Sequence, residues 1–151
     1  MKFAAHLPVY PSCQVQREKI DMTGRPMLFL VGKEDNDTPA QPSKEYLARI
    51  KAAGFPAALN MYTSAGHNIV KVERGYYDEL ATFNRCGRGT MTLDGHEFMG
   101  NASTRNTTWA QFVVAVFHQC GDRGAELYGT KALQRQALSE TVNFFTRTLK
   151  P

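Results

Sequence analysis

The chain has 151 residues, enough for one domain with a sizeable core. Hydrophobic residues make up 42% and charged residues 21%, a globular balance that excludes extensive disorder, and no apolar run is long enough to span a bilayer. The formal net charge is +4, but the basic residues (Arg17, Lys19, Arg25, Lys33, Lys44, Arg49 and Lys51 among them) are scattered, so the surface reads as solvated rather than as a face for nucleic acid or a membrane.

Residues 3–10, FAAHLPVY, read as a short strand, with Pro8 arguing for an edge position or a bend. A connecting stretch with a Thr-Gly-Arg-Pro turn leads to MLFLV, 27–31. This continuous apolar run suits a parallel strand covered on both faces. The loop GKEDNDTPAQP follows, then Ser43 as N-cap of a helix over KEYLARIKAA, closed by Gly54. AALNMY, 57–62, is the next strand, which completes a βαβ unit and runs into TSAGHNI.

Beyond His67 the pattern changes. GYYDELATF, 75–83, is expected to be a helix. In TMTLDGHEF, Asp94-Gly95 reads as the two-residue turn of a hairpin. For TTWAQFVVAVFHQC, 107–120, the Val and Phe content favours a strand, whereas Thr108 with Gln111 resembles a capping box; the helix is preferred, broken by CGDRG. ALQRQALSETVNFFTRTL, 132–149, has Leu138, Val142, Phe145 and Leu149 on one face of a helix.

The three cysteines, Cys13, Cys86 and Cys120, fit no zinc spacing, and no cofactor or metal is expected. Cys86 and Cys120 flank one segment, and a disulfide and two thiols are both open. Asn36, Asn101 and Asn106 each begin an N-x-[ST] triplet, which matters only in a eukaryotic secretory context. Met1 is followed by no signal-peptide pattern, and the chain opens almost at once on a strand, as expected if a natural amino-terminal portion precedes it. The compartment is left unassigned.

A strand–helix–strand connection is right-handed in nearly all cases, so both strands should leave the sheet at one edge, about 4.8 Å apart. That brings the acid loop and the histidine loop together, at the edge where open α/β sheets form their sites. An imidazole can take a proton from a hydroxyl or thiol, and a carboxylate on its other nitrogen fixes the tautomer and stabilises the imidazolium. The competing reading is a surface acid cluster and a loop histidine that bonds only backbone.

Pro26-Met-Leu-Phe-Leu-Val-Gly32, Asp35 with Pro39 four positions on, and Tyr62-Thr-Ser-Ala-Gly-His67 together resemble the carboxyl-terminal half of an α/β-hydrolase of the dienelactone hydrolase family. The opening AAHLPVYPSC resembles the strand before the acid strand, and FFTRTL the end of the last helix. The resemblance covers residues 3–70 and 132–149, and it implies one partial α/β-hydrolase domain over 1–151 with an insertion at about 73–131. It selects Asp35 over Glu34 and Asp37, which become solvated neighbours, and His67 over His6, His96 and His118. It implies catalytic roles for Asp35 and His67, and it places a basic residue for a substrate carboxylate near Lys71, which otherwise reads as a solvated loop lysine.

The nucleophile is the departure. Neither G-x-S-x-G nor G-x-C-x-G occurs in the chain, and Ser12-Cys13 has no flanking glycines. The expectation is therefore an ester or lactone hydrolase that is inactive as this chain alone. An alternative is a non-catalytic remnant acting as an interaction or structural module. A nucleotide-binding domain would want a glycine-rich phosphate loop, which is absent. The expected partner is a small-molecule ester or lactone, with no nucleic acid and no membrane. An open sheet edge implies self-association.

Overall fold

The computed structural model describes residues 3–68 and 74–149. Its elements are β1 (Val15–Arg17), β2 (Met27–Gly32), α1 (Ala40–Ala52), β3 (Ala57–Tyr62), β4 (Gly75–Thr82), β5 (Gly89–Met91), β6 (Glu97–Met99), β7 (Ala102–Ser103), α2 (Trp109–Cys120), β8 (Asp122–Leu127) and α3 (Lys131–Thr148). The fold is mixed α/β, with three helices among the described residues, consistent with an α/β-hydrolase-like architecture.

β2 and β3 pair in parallel over their whole length, from Met27 opposite Ala57 to Gly32 opposite Tyr62. The expected opening strand lies on the other side of β2. It pairs in parallel only at isolated bridges, His6 with Met27 and Val9 with Leu30. Pro8 explains the interruption. It has no N–H to give, and its carbonyl accepts from Leu30 N–H at 3.0 Å.

β2 is covered on both faces, as its apolar run predicts, and the two faces alternate along the strand. Leu28 and Leu30 join Tyr62 and Ala65 against Leu133, Ala137 and Phe144 of α3. Phe29 joins Ile50 and Cys13 against Tyr46 and Leu47 of α1. The result is a helix–sheet–helix sandwich with β2 at its centre.

Four sequence expectations are corrected. Helix α1 starts at Ala40, not after Ser43, because Pro42 sits in the first turn, where its missing N–H has no helical partner to lose. The Ser43 hydroxyl instead donates to the Pro11 carbonyl at 3.3 Å. Residues 75–82 form strand β4, not a helix, pairing antiparallel with β8 from Gly75 opposite Leu127 to Thr82 opposite Asp122, with an irregularity between Tyr77 and Ala81. The β-favouring Tyr76, Tyr77 and Thr82 find a partner strand there, and tertiary pairing decides.

The hairpin loop between β5 and β6 holds three residues, not two. Gly95 N–H bonds the Thr92 carbonyl, Thr92 N–H bonds the His96 carbonyl, and Gly95 adopts φ +84°. That is a four-residue turn closed by a left-handed glycine, which Asp94-Gly95 serves equally well. Finally, α3 turns a different face inward than expected. Leu138 (65% exposed), Val142 (54%) and Leu149 (50%) face solvent.

The segment between His67 and α3 builds a further layer together with β1, which pairs in parallel with β5. β1, β5, β6 and β7 form a four-stranded sheet, and α2 packs Phe112 and Val116 onto Met99 and Ala102. Thr108 caps α2 in a full capping box with Gln111. A disulfide joins Cys86 to Cys120, which settles the pairing left open by the sequence. Among the described residues, no helix is long and apolar enough to cross a membrane.

Candidate active site

The acid loop and the histidine loop emerge side by side from the carboxyl ends of β2 and β3, and glycine lets them meet. A Cβ on Gly32 would stand 2.5 Å from the Ala65 carbonyl oxygen and 2.6 Å from that of Gly66. With no side chain there, Glu34 N–H reaches the Ala65 carbonyl at 2.9 Å and Lys33 N–H the Tyr62 carbonyl at 2.9 Å. Gly66 allows a second close approach further out, where a Cβ would strike the ring of Tyr128 at 2.6 Å.

The side chain of Asp35 is fully buried. Its Oδ1 accepts from the N–H groups of Asp37 (2.9 Å) and Thr38 (2.8 Å). Its Oδ2 accepts from the Thr38 hydroxyl at 2.8 Å and faces His67 Nδ1 at 3.1 Å. Four donor positions surround the carboxylate, so a buried charge is compensated. Thr38 Oγ1 also lies 3.1 Å from His67 Nδ1. The Asp35 contact orients the ring with its Nδ1 proton toward the acid and leaves Nε2 for proton transfer.

His67 has a pKa raised above the ordinary histidine value. The hydrogen bond to Asp35 is the main cause, burial opposes it, and the charges of Asp35 and Asp37 add to it. Asp37 is not the solvated neighbour expected from the sequence. Its Oδ2 lies 3.6 Å from His67 Nε2. Burial raises its own pKa, with the His67 charge acting downward and the Asp35 charge upward. Glu34 is exposed, yet its carboxylate accepts a hydrogen bond from the Tyr128 hydroxyl.

The sequence profile of the dienelactone hydrolase family matches residues 1–94. The chain belongs to the dienelactone hydrolase family. Among curated proteins and among solved structures, none matches it significantly.

Other residues singled out from this dienelactone hydrolase family sequence lie elsewhere. His6 Nε2 pairs with Thr23 Oγ1 at 3.1 Å. Cys13 packs against Phe29 and Ile50, and burial pushes its thiol pKa up, which disfavours the thiolate a nucleophile needs. Lys71 lies outside the described residues. No three His, Cys, Asp or Glu side chains among the described residues group into a metal site.

Besides Thr38, two participants were missed. Tyr10 closes the opening strand with φ +50°, and its ring centroid lies 5.0 Å from that of His67. Its phenol pKa is raised by burial and by the Asp35 charge. The signal was available: a strand parallel to β2 must deliver its last residue to the edge that carries Asp35 and His67. A left-handed tyrosine costs roughly 1–2 kcal/mol, which the surrounding packing has to hold in place. The other participant is β8. It bridges to the histidine loop through Leu127 opposite His67, and DRGAEL offers no strand signal.

Proposed function

We propose that this chain carries the acid and base of an ester- or lactone-cleaving site of the dienelactone hydrolase type, and that it is the carboxyl-terminal part of an α/β-hydrolase domain with an insertion at about 73–131. The supporting observation is the 3.1 Å contact of Asp35 Oδ2 with His67 Nδ1, built at the ends of adjacent parallel strands. In this reading His67 Nε2 takes the proton from a serine or cysteine nucleophile as it attacks the acyl carbon. His67 returns that proton to the departing oxygen, then repeats the cycle with water to release the acid. Asp35 keeps Nδ1 protonated throughout and stabilises the imidazolium.

The nucleophile is supplied by a polypeptide segment not among these residues, since the sequence holds no G-x-S-x-G or G-x-C-x-G. The natural place for it is beside the opening strand. There, Val9, Tyr10 and Leu30 line a groove of about 210 Å³ together with Gln134, Ala137 and Leu138 of α3. The purified chain should therefore leave p-nitrophenyl esters untouched. Clear turnover that disappears in His67→Ala would refute the absence of the nucleophile from these residues. The same open edge favours self-association, visible as a concentration-dependent mass in analytical ultracentrifugation. No nucleic-acid or membrane partner is proposed.

A second reading is a non-catalytic module. It is favoured by the Asp37 carboxylate at Nε2, on the side where a nucleophile would approach. The coding sequence upstream of Met1 separates the two. An in-frame nucleophile elbow supports the hydrolase, and a true start at Met1 supports the module.

A further inference from the structure

The segment between His67 and α3 does more than fill space beside the site. Asp35 is flanked in sequence by Glu34 and Asn36, and both are held by this segment. The Asn36 side-chain Oδ1 accepts from Glu126 N–H at 2.9 Å, and the Asn36 carbonyl accepts from Asn84 Nδ2 at 2.7 Å. Glu34 accepts from the Tyr128 hydroxyl. The histidine is gripped by the same strand end. His67 N–H bonds the Glu126 carbonyl at 3.2 Å, Tyr128 N–H bonds the His67 carbonyl at 3.1 Å, and Gly66 N–H bonds the Tyr128 carbonyl at 3.2 Å. One residue, Glu126, thus ties the acid loop by its N–H and the histidine loop by its C=O.

Asn84 and Glu126 belong to the two arms of one sheet. Asn84 follows β4, Glu126 lies in β8, and β4 pairs with β8. Cys86 stands two residues beyond Asn84, and its disulfide partner Cys120 stands two residues before β8. The covalent link therefore closes the Thr82–Asp122 end of the sheet, beside Asn84, while Glu126 holds both loops from the other end, where it pairs with Tyr76. Asn84 also leaves its Oδ1 buried without a partner among the described residues. A buried, unpaired acceptor is costly, so this amide is set by its bond to Asn36 rather than by its own satisfaction.

We propose that the disulfide-closed β4–β8 sheet is a splint that sets the Asp35–His67 contact, with Asn36 as the positioning residue that couples the splint to the acid. β4, Asn84 and Cys86 lie within the stretch that matches the family profile, whereas β8 and Cys120 lie beyond it. The proposal rests on the observed contact. Its purpose rests on the hydrolase reading, but its test does not use turnover.

The test is NMR on the full chain, reading the His67 Nδ1 proton and the His67 titration midpoint. Among the described residues, the groups facing this ring include Asp35, Asp37, Thr38 and Tyr10. In Asn36→Ala, the midpoint should shift downward and the slowly exchanging Nδ1 proton should be lost, while amides of β2 and β3 keep their protection. Asn36→Asp, which retains an acceptor for Glu126 N–H, should keep the Nδ1 proton. A Cys86→Ser/Cys120→Ser double variant should behave as Asn36→Ala does. A folded Asn36→Ala protein with both readouts unchanged overturns the proposal. If Asn36→Ala does not fold, the disulfide-reduced native chain decides: loss of the Nδ1 proton supports the splint, and its retention overturns it. Failure here would leave the ester-hydrolysis test untouched, and the reverse also holds.

Discussion

The carboxylate of Asp37 stands 3.6 Å from Nε2 of His67, across the ring from Asp35. The imidazole thus lies between two acids of the same loop, one fully buried and one partly exposed. Its charged form is favoured from both sides, and most strongly from the hydrogen-bonded Asp35 side. Asp37→Asn should therefore lower the His67 pKa, and Asp35→Asn should lower it further. Carbon-bound ring protons followed by NMR across pH would show the order, and a larger effect from Asp37 would contradict the geometry.

The same shift makes stability depend on pH. His67 has a higher pKa folded than unfolded, so its contribution is fully present below the unfolded value of about 6.5. It is lost as pH rises through the folded value. Urea midpoints should fall across that window in the native chain. In His67→Gln this component of the slope should vanish, and an unchanged slope would place its origin elsewhere.

Gly32→Ala should be costly, although the strand would tolerate alanine on propensity alone. The new methyl would meet two backbone carbonyls, at 2.5 and 2.6 Å, which cannot swing aside as a side chain can. Overpacking of this kind typically costs about 1–3 kcal/mol. It should also push the histidine loop away from the acid loop, so the His67 pKa should drop along with the denaturation midpoint.

The covered and the exposed faces of α3 should respond differently, the covered one probed through its β2 partner Leu30. Leu30 is 2% exposed and packs toward Leu133, Ala137 and Phe144, so Leu30→Ala should cost about 2–5 kcal/mol in chemical denaturation. Leu138 is 65% exposed. Leu138→Lys should change stability by only about 0.5 kcal/mol and should weaken self-association in sedimentation.

The elements that could be read from the sequence are those whose signals are local. MLFLV and AALNMY are apolar runs bounded by turns, and the Thr108–Gln111 pair marks the start of α2 by its own hydrogen bonds. The Asp35–His67 meeting followed from topology, because a single βαβ unit fixes which loops share an edge. β4 and β8 were hidden because each becomes a strand only against a partner far away in the chain, as with Tyr77 opposite Ala125, 48 positions on.

The inner face of α3 was hidden for another reason. Glu140 lies on the side of the helix toward β3, where its Oε2 accepts from Asn60 at 2.8 Å and from the Tyr62 hydroxyl at 2.5 Å. An acid that belongs against the sheet defeats any rule that seeks the apolar stripe. The position of Asp37 against Nε2 depends on how a short loop folds back, which spacing alone does not specify.

The Cys86–Cys120 bond closes a ring whose two cysteines are 34 positions apart, and β5 to α2 all lie within it. A ring of this size lowers the unfolded chain's entropy by an amount worth about 4 kcal/mol. It also changes what a protease can achieve. A single cut at an exposed site inside the ring, such as beside Leu93, severs the backbone but leaves both products attached. Such a nicked molecule would run as one species without reductant and as two with it, while β4 and β8 stay held beside the acid and the histidine.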